Sequence, residues 1–281
     1  MQIPLQSRLP RTFRIAAVKR ETEAVTTFTF RTTFGSKPGQ FVMLWLPGTD
    51  EIPMSVAFDD GKGTFRVTFF AVGDMTKKLA CLKKGDLVGL RGPFGTHYEW
   101  KKKQSIVLVA GGYGAAPMYF AAKESSMDGC TLDVIVGARS KEYLLFLREF
   151  KALPRTTLHI ATDDGSEGHK GYVTDVLKDV LTAHRSPLDA TRGKQLTALF
   201  ACGPERMLVA VSDLCFREKI PCQLSLERYM KCGYGLCGNC VVDPLGIRLC
   251  CDGPVVRNET CRKIAEFGKY HRDALGRRCE F

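Results

Sequence analysis

The sequence predicts an antiparallel β barrel followed by an α/β domain with a doubly wound parallel sheet, and then a small cysteine-rich module. Three observations support this prediction: closely spaced β runs in the first part, a later change to alternating strands and helices, and grouped cysteines near the carboxyl end. The predicted parts are residues 1–101, 102–226 and 227–281. A chain of 281 residues is long enough for two cores of about 100–150 residues each.

The first part is predicted to be a barrel because short apolar β runs alternate with turn residues. Turn signals such as Lys37-Pro-Gly39 and Asp59-Asp-Gly61 separate these runs. One helix interrupts them, and Asp74 is a suitable capping residue for its start. The predicted strands cover residues 28–31, 41–46, 54–58, 65–72 and 87–90, and the helix covers 74–82.

After the basic run Lys101-Lys-Lys103 the pattern changes to strands that alternate with helices. Continuous apolar strands joined by helices are typical of a parallel sheet covered on both faces, which binds ligands at the carboxyl ends of its strands. A surface loop is predicted at 186–195. The predicted strands are 106–110, 132–136, 157–161, 196–201 and 223–226, and the predicted helices are 115–125, 141–150, 172–183 and 204–218.

The cysteine-rich module has the ligand spacing of a plant-type [2Fe–2S] cluster. Its candidate ligands are Cys232, Cys237, Cys240 and Cys250, and Cys251, next to Cys250, is a second possible ligand. The interspersed glycines allow a loop with positive φ angles to bring its N–H groups close to sulfur. A structural zinc site also takes four thiolates, and zinc therefore remains an alternative. Disulfides are a weaker alternative because we find no signal peptide, and a reducing cytoplasm is the expected location.

Two glycine-rich turns follow apolar strands of the predicted sheet, at residues 111–114 and 202–204. Glycines there let the backbone approach a pyrophosphate, and the helix N-terminus adds positive potential. Close packing of a strand against a helix produces similar turns, and a lone cysteine is often simply buried, so packing remains an alternative. The candidate NAD contacts are Gly111, Gly112, Gly114, Asp163 for a ribose, Cys202 beside the nicotinamide, Gly203 and Pro204.

A converter is needed because NAD exchanges two electrons as hydride, whereas a [2Fe–2S] cluster carries one at a time. A flavin is the usual converter, and the barrel is the part of the chain without another assigned role. One barrel segment, residues 52–55, leads into a strand. Another, residues 69–76, runs from a strand into the helix, and the first N–H groups of that helix suit a phosphate. A plain strand start and a helix cap would look the same. The candidate flavin contacts are Ile52, Pro53, Met54, Ser55, Phe69, Phe70, Gly73, Met75 and Thr76.

Charge and hydropathy argue against two classes of partner. The formal net charge is +11. The excess of positive residues is spread along the whole chain, and it is densest in the last twenty residues. They form no basic stripe interleaved with aromatic residues, and we therefore expect no nucleic acid partner. The uncharged stretch 104–122 is interrupted by Gly111, Gly112, Gly114 and Pro117, and we expect no membrane helix.

These motifs together resemble the ferredoxin-reductase-like flavoproteins, and within them the electron-transfer subunits of NAD-linked dihydroorotate dehydrogenase. The resemblance extends over nearly the whole chain. It includes Lys37-Pro-Gly-Gln-Phe41, Pro53-Met-Ser55, Gly73-Asp-Met-Thr76, Gly92-Pro-Phe-Gly95, Gly111-Gly-Tyr-Gly114, Gly171-Tyr-Val-Thr174, Cys202-Gly-Pro204 and Leu249-Cys-Cys-Asp-Gly-Pro254.

The resemblance implies a barrel that holds FAD, a sheet that binds NAD, and a [2Fe–2S] loop at the contact with a catalytic subunit. That subunit would contain FMN and oxidise dihydroorotate, in a heterotetramer of two plus two chains. Similar subunits also serve hydrogenases, sulfite reductases and ferredoxin-dependent NADP reductases, which form the alternative. A zinc-stabilised binding module is the non-enzymatic alternative.

The sequence departs from the family pattern at three positions. Ile52 stands where many relatives have an arginine for the flavin phosphate, and Met54 stands at the position against the flavin ring. Tyr113 stands where a smaller residue is usual. Loss of the arginine weakens flavin binding unless another cation replaces it, and the candidate replacements are Lys77, Lys78 and Arg91.

Overall fold

The computed structural model describes residues 9–185 and 196–281, and the loop predicted at 186–195 lies outside them. The first part is a closed barrel of six antiparallel strands in the order β1-β2-β5-β4-β3-β6, which confirms the predicted barrel. The sequence prediction missed β1, in which charged and apolar residues are mixed. The strands are β1 (Arg11–Arg20), β2 (Val25–Arg31), β3 (Phe41–Leu46), β4 (Asp50–Asp59), β5 (Thr64–Phe70) and β6 (Leu87–Phe94).

Aromatic side chains fill the barrel because alternate residues of each strand point inward. Phe28, Phe30 and Phe65 are fully buried, and the rings of Phe28 and Phe69 meet edge to face at 5.0 Å. Each such burial contributes about 2 kcal/mol. A short helix, α1 (Asp74–Ala80), covers one end of the barrel and buries Met75 there.

The second part is a parallel sheet with helices on both faces, as predicted. Its strand order reverses between β7 and β11, which places a crevice at the carboxyl ends of these two strands. Short 3₁₀ turns occupy Gly112–Gly114 and Lys141–Tyr143. The other elements are β7 (Ser105–Gly111), α2 (Ala115–Met127), β8 (Thr131–Ala138), α3 (Leu147–Lys151), β9 (Thr156–Thr162), β10 (His169–Lys170), α4 (Val173–Arg185), β11 (Leu196–Cys202), α5 (Glu205–Glu218) and β12 (Cys222–Ser225).

The helix predicted over 141–150 is interrupted in the structure. A 3₁₀ turn and the five-residue helix α3 take its place. Between them Phe146 has a left-handed backbone with φ of 60°. Its ring stacks on Tyr119 at 5.8 Å between centroids. This aromatic contact accompanies a backbone conformation that no continuous helix contains.

The cysteine-rich part shares its core with both other parts. Its elements are β13 (Val241–Val242), β14 (Ile247–Arg248), α6 (Leu249–Asp252), β15 (Val255–Arg257), α7 (Asn258–Cys261), β16 (Tyr270–Arg272) and β17 (Arg278–Glu280). Strand β15 pairs antiparallel with β12, and the sheet therefore extends past the predicted boundary at residue 226. One apolar cluster joins Phe94 of the barrel, Leu199 of the sheet and Cys240 of the module. The three-part division by residue number stays a prediction.

A buried ion network anchors the segment between the sheet and the cysteines. Arg228 donates to Glu266 Oε1 at 2.7 Å and to both carboxylate oxygens of Glu205 at 3.0 and 3.1 Å. All three residues are buried, so removing one partner would leave an uncompensated charge, a change that typically costs about 3–5 kcal/mol. None of the helices in the described ranges is both long and apolar enough to cross a membrane.

Candidate functional site: an interdomain cleft and a cysteine loop

A cleft of about 260 Å³ lies where the barrel, the sheet and the cysteine-rich part meet. Apolar side chains form most of its wall, which is the usual character of a cofactor site, and the exposed residues Tyr113 and Glu227 mark its mouth. Seven of the residues predicted from sequence line it. These are Pro53, Met54, Ser55, Phe69, Phe70, Gly114 and Cys202.

Two residues of the sheet domain and its following segment form a bridge at the mouth of the cleft. The hydroxyl of Tyr113 donates to Glu227 Oε2 at 2.7 Å. The Tyr113 ring also stacks on Phe70 of the barrel, with centroids 6.3 Å apart and an angle of 26° between the rings. The side chain of Tyr113 thus contacts the barrel and the segment after β12 at once.

The cleft favours the uncharged forms of a thiol and a carboxyl in its wall. Burial raises the pKa of the Cys202 thiol to about 12, and the neighbouring Glu227 charge adds to this rise. Glu227 reaches water through the mouth, yet protein atoms surround it on most sides, and this desolvation raises the pKa of its carboxyl. Cys202 is therefore a neutral thiol at neutral pH.

Sequence reasoning missed Glu227, although a signal was present. Glu227 directly follows the last predicted strand, and the carboxyl ends of parallel strands are where ligands bind. Ser225, Arg228 and Met230 also line the cleft from this segment. Their approach depends on how the segment leaves the sheet, which local sequence does not specify.

Four of the predicted flavin residues lie outside the cleft wall. Ile52 and Met75 pack into the apolar barrel core. Gly73 and Thr76 form the start of α1. The Thr76 hydroxyl accepts from the Val72 and Gly73 N–H groups at 3.0 Å and donates to the Gly73 carbonyl at 3.0 Å. This hydroxyl is used in the helix cap.

The two glycine turns pack against each other. A Cβ on Gly111 would lie 2.6 Å from Met207 Sδ and 2.8 Å from Pro204 Cδ, and one on Gly203 would lie 2.9 Å from Gly111 Cα. A Cβ on Gly114 would fall on the Cys202 carbonyl. Packing therefore accounts for these three glycines.

Two of the predicted NAD contacts lie in the open. Gly112 has a positive φ of 54°, and a Cβ on it would meet no atom within 4 Å, so its backbone is accessible. Asp163 follows β9 and is exposed. The turn chemistry at this strand end belongs to its neighbour Asp164, whose carboxylate accepts from the N–H and hydroxyl of Ser166 at 2.9 and 2.6 Å.

The cysteine loop directs backbone N–H groups at its sulfurs. Cys232 Sγ accepts from the N–H groups of Leu236 at 3.3 Å and Cys237 at 3.5 Å, and Cys250 Sγ accepts from Gly235 at 3.1 Å. Cys240 Sγ accepts from the Cys250 N–H at 3.4 Å. Gly235 has a φ of 81°, which turns its N–H inward and would strain any other residue.

These contacts favour the thiolate form at Cys232 and at one sulfur of the pair Cys240 and Cys250. Although partial burial raises the pKa of Cys232, the surrounding N–H groups outweigh it and lower that pKa to about 7. The pKa of Cys240 is also lowered to about 7, first by its hydrogen bond with the Cys250 side chain. The same hydrogen bond, together with burial, raises the pKa of Cys250. Because the thiolate is the form that binds metals, the donor set fits an iron–sulfur cluster.

Cys250 and Cys251 are adjacent, with their sulfurs 3.9 Å apart. Cys250 is fully buried and receives the Gly235 N–H. The pKa is raised in both thiols, at Cys251 by burial and at Cys250 by the hydrogen bond with Cys240 and by burial, so the Gly235 N–H and the deeper burial are what distinguish Cys250. Within residues 9–185 and 196–281, no three Cys, His, Asp or Glu side chains are gathered for a single metal ion.

Two family models match the chain. Residues 227–261 match the iron–sulfur cluster binding domain of dihydroorotate dehydrogenase B, and residues 108–213 match the oxidoreductase NAD-binding domain. A relative from Methanocaldococcus jannaschii, named "Probable dihydroorotate dehydrogenase B (NAD(+)), electron transfer subunit", is 44% identical over 94% of this chain and 96% of its own length. A relative of the same name from Methanocella arvoryzae is 42% identical over 86% of this chain and 87% of its own.

The chain belongs to the family of dihydroorotate dehydrogenase B electron transfer subunits. It is an oxidoreductase subunit with an NAD-binding domain and an iron–sulfur binding domain, as the sequence predicted. These findings do not support the zinc-stabilised binding module. A solved structure of an NADH-dependent reduced ferredoxin–NADP oxidoreductase, described in connection with flavin-based electron bifurcation, has a TM-score of 0.77 and 30% identity over 90% of this chain and 89% of its own.

Proposed function

We propose that this subunit carries electrons from a catalytic subunit that oxidises dihydroorotate, through one [2Fe–2S] cluster and one FAD, to NAD⁺. The observation that supports this most is the meeting of three parts at one cleft, with the cysteine loop packed on the barrel beside it. A Cβ on Gly233 in that loop would lie 3.1 Å from Phe94 and 3.2 Å from Met43 of the barrel. A cluster in the loop and a flavin in the cleft would therefore be close neighbours.

The proposed cluster ligands are Cys232, Cys237, Cys240 and Cys250. The loop around them is buried on one side and open on the other. Cys240 and Cys250 are 2% and 0% exposed, whereas Leu236 is 77% exposed and Cys237 is also on the surface. We propose that the open side contacts the catalytic subunit.

The proposed flavin site uses the cleft wall formed by Pro53, Met54, Ser55, Phe69 and Phe70. Met54 and Phe70 offer apolar surface to a ring, and Ser55 offers a hydroxyl. The phosphates would face the main-chain N–H groups of the first turn of α1, from Asp74 to Thr76, and Gly73 forms the cap before them. Ile52 and Met75 support this wall from the barrel core. A flavin bound here supplies the conversion between hydride and single electrons.

The proposed NAD site lies on the sheet side of the same cleft. Cys202 borders it with a small, neutral side chain, and Gly112 leaves its backbone open to the nucleotide. Asp163 would accept hydroxyl hydrogen bonds from a ribose. The two turns are held together by close packing of the residues between them, and this packing shapes the proposed site. These residues are Gly111, Gly114, Gly203 and Pro204.

The relatives' names imply a catalytic partner subunit. We propose that this partner contains FMN and forms a heterotetramer of two plus two chains with the present subunit, without nucleic acid or membrane contacts. The proposed location is the cytoplasm, which suits a chain whose twelve cysteines, all within the described ranges, form no disulfide.

Co-purification tests this function. The chain would be co-expressed with the products of neighbouring genes, purified anaerobically, and analysed for iron, acid-labile sulfide, FAD and FMN. We expect two iron and two sulfide per chain, one FAD, and a complex that reduces NAD⁺ with dihydroorotate, followed by absorbance of NADH. Recovery of a hydrogenase or sulfite reductase partner would contradict the substrate, and zinc without sulfide would contradict the cluster.

A further inference from the structure

Arg91 on β6 is a buried arginine with no role in the cleft. It is 6% exposed. Its Nε and Nη2 donate to Glu51 Oε1 and Oε2 at 2.6 and 2.5 Å, which is a bidentate ion pair. Its Nη1 donates to the Cys232 carbonyl at 2.5 Å, and Nη2 also donates to the Lys231 carbonyl at 3.2 Å. One barrel side chain therefore holds two successive carbonyls of the cysteine loop.

These contacts exclude Arg91 as the replacement for the missing flavin-phosphate arginine. A guanidinium has five N–H donors, and Arg91 makes four hydrogen bonds to other groups of the protein. The remaining surface of the group is covered by rings, with Phe94 at 5.5 Å and Tyr234 at 5.7 Å from its central carbon. Arg91 is also absent from the residues that line the cleft. A phosphate in the cleft cannot reach it.

This ion pair is largely removed from water, with the Arg91 side chain 7% and the Glu51 side chain 23% exposed, and removing a guanidinium and a carboxylate from water is costly unless both are well paired. An apolar pair at the same place would pack against the loop without that cost, but it would leave the two carbonyls without donors. Carbonyl groups left unpaired at a protein contact are unfavourable. The arginine thus fixes the main chain, which apolar packing alone does not do.

We propose that Arg91 is a positioning residue for the iron–sulfur loop. It sets the place of Cys232, the first proposed ligand, relative to the flavin barrel, and Glu51 holds Arg91 in turn. The guanidinium also presents its positive side to the ligand's own carbonyl, and nearby charge and hydrogen bonds influence the potential of such clusters. This inference rests on the proposed function, since it needs a cluster in the loop.

The test uses Arg91→Gln in the full chain, co-expressed with its catalytic partner. We expect FAD to remain bound and the EPR signal of the reduced cluster to shift. The midpoint potential of the cluster should fall, and a chelator should remove the cluster on the order of tenfold faster. Arg91→Lys keeps the charge but not the fork of donors and should give an intermediate loss rate. If the glutamine variant does not fold, the lysine variant supplies the same readouts.

Two further variants separate position from charge. Glu51→Gln frees Arg91 but leaves its charge unpaired, so cluster loss should speed up while the midpoint potential rises. Arg14→Gln is the matched control, because Arg14 is an exposed barrel arginine that donates to one carbonyl, Gly85, at 2.9 Å. This control should leave cluster and flavin unchanged.

Two results would overturn this inference and leave the proposed function intact. FAD loss from Arg91→Gln with a normal cluster would make Arg91 a flavin residue, and a variant with unchanged EPR, potential and loss rate would remove its positioning role. A wild-type complex without iron would instead overturn the proposed function, and this inference with it.

Discussion

The cleft and the cysteine loop place the same side chain in opposite environments. Cys202 in the cleft is buried among apolar groups, which raises the pKa of its thiol to about 12. Cys232 in the loop is partly buried too, but N–H groups of its own loop lower the pKa of its thiol to about 7. Burial alone therefore does not decide whether a thiol stays neutral, because N–H groups that point at the sulfur can outweigh it.

Glycines differ between the two regions in the same way. Gly114 in the cleft allows close packing, since its neighbour is the Cys202 carbonyl. Gly235 in the loop turns an N–H toward Cys250 Sγ. Glycine thus allows close packing of the main chain in the cleft, whereas in the loop it allows an N–H group to point at a sulfur. Each of the following experiments sharpens or breaks this contrast.

The largest effect is expected at the adjacent pair Cys250 and Cys251. Replacing Cys250 with Ser should abolish the visible and EPR signals of the cluster, because the buried, N–H-bonded sulfur is lost, while FAD stays bound. The matched control Cys251→Ser should keep both signals. A normal cluster in Cys250→Ser together with its loss in Cys251→Ser would reverse the ligand assignment.

A second effect concerns the packed glycine of the cleft. Gly114→Ala places a methyl group against a main-chain carbonyl that cannot move aside, and we expect the free energy of unfolding to fall by about 3 kcal/mol. Gly112→Ala meets open space, and only its φ of 54° opposes it, at a cost of about 1 kcal/mol. Denaturant unfolding of both variants measures the difference. Gly114 itself has an ordinary helical backbone with φ of −60°, so equal losses would show that its neighbours move aside and that packing does not require glycine there.

The smallest effect tests the thiol contrast directly in the apoprotein. The pKa of Cys232 is lowered to about 7, so its thiolate fraction, and with it iodoacetamide labelling, should rise as the pH increases through 7. Cys202, with a pKa of about 12, should stay unlabelled through pH 9. Peptide mass spectrometry reads both sites in one sample. Labelling of Cys202 at or below the pH that labels Cys232 would break the comparison.

Local patterns predicted much of the molecule. The alternation in β5 and the apolar run of β7 were visible as strands because side-chain periodicity depends on neighbouring residues alone. The helix over 141–150 was not predicted correctly, since the Phe146 contact with Tyr119 joins separate segments. The edge strand β15 was missed because three residues carry too little periodicity to mark a strand.

The sequence by itself determined the chemistry of the cysteine loop, because the spacing of its cysteines and glycines acts within one short segment. Tertiary structure alone decided what surrounds that loop. Arg91 meets Cys232 across 141 positions of the chain and Tyr113 meets Glu227 across 114. Such contacts arise when the barrel, the sheet and the module bury their apolar surfaces in one shared core, and no short-range pattern encodes which distant groups that burial brings together.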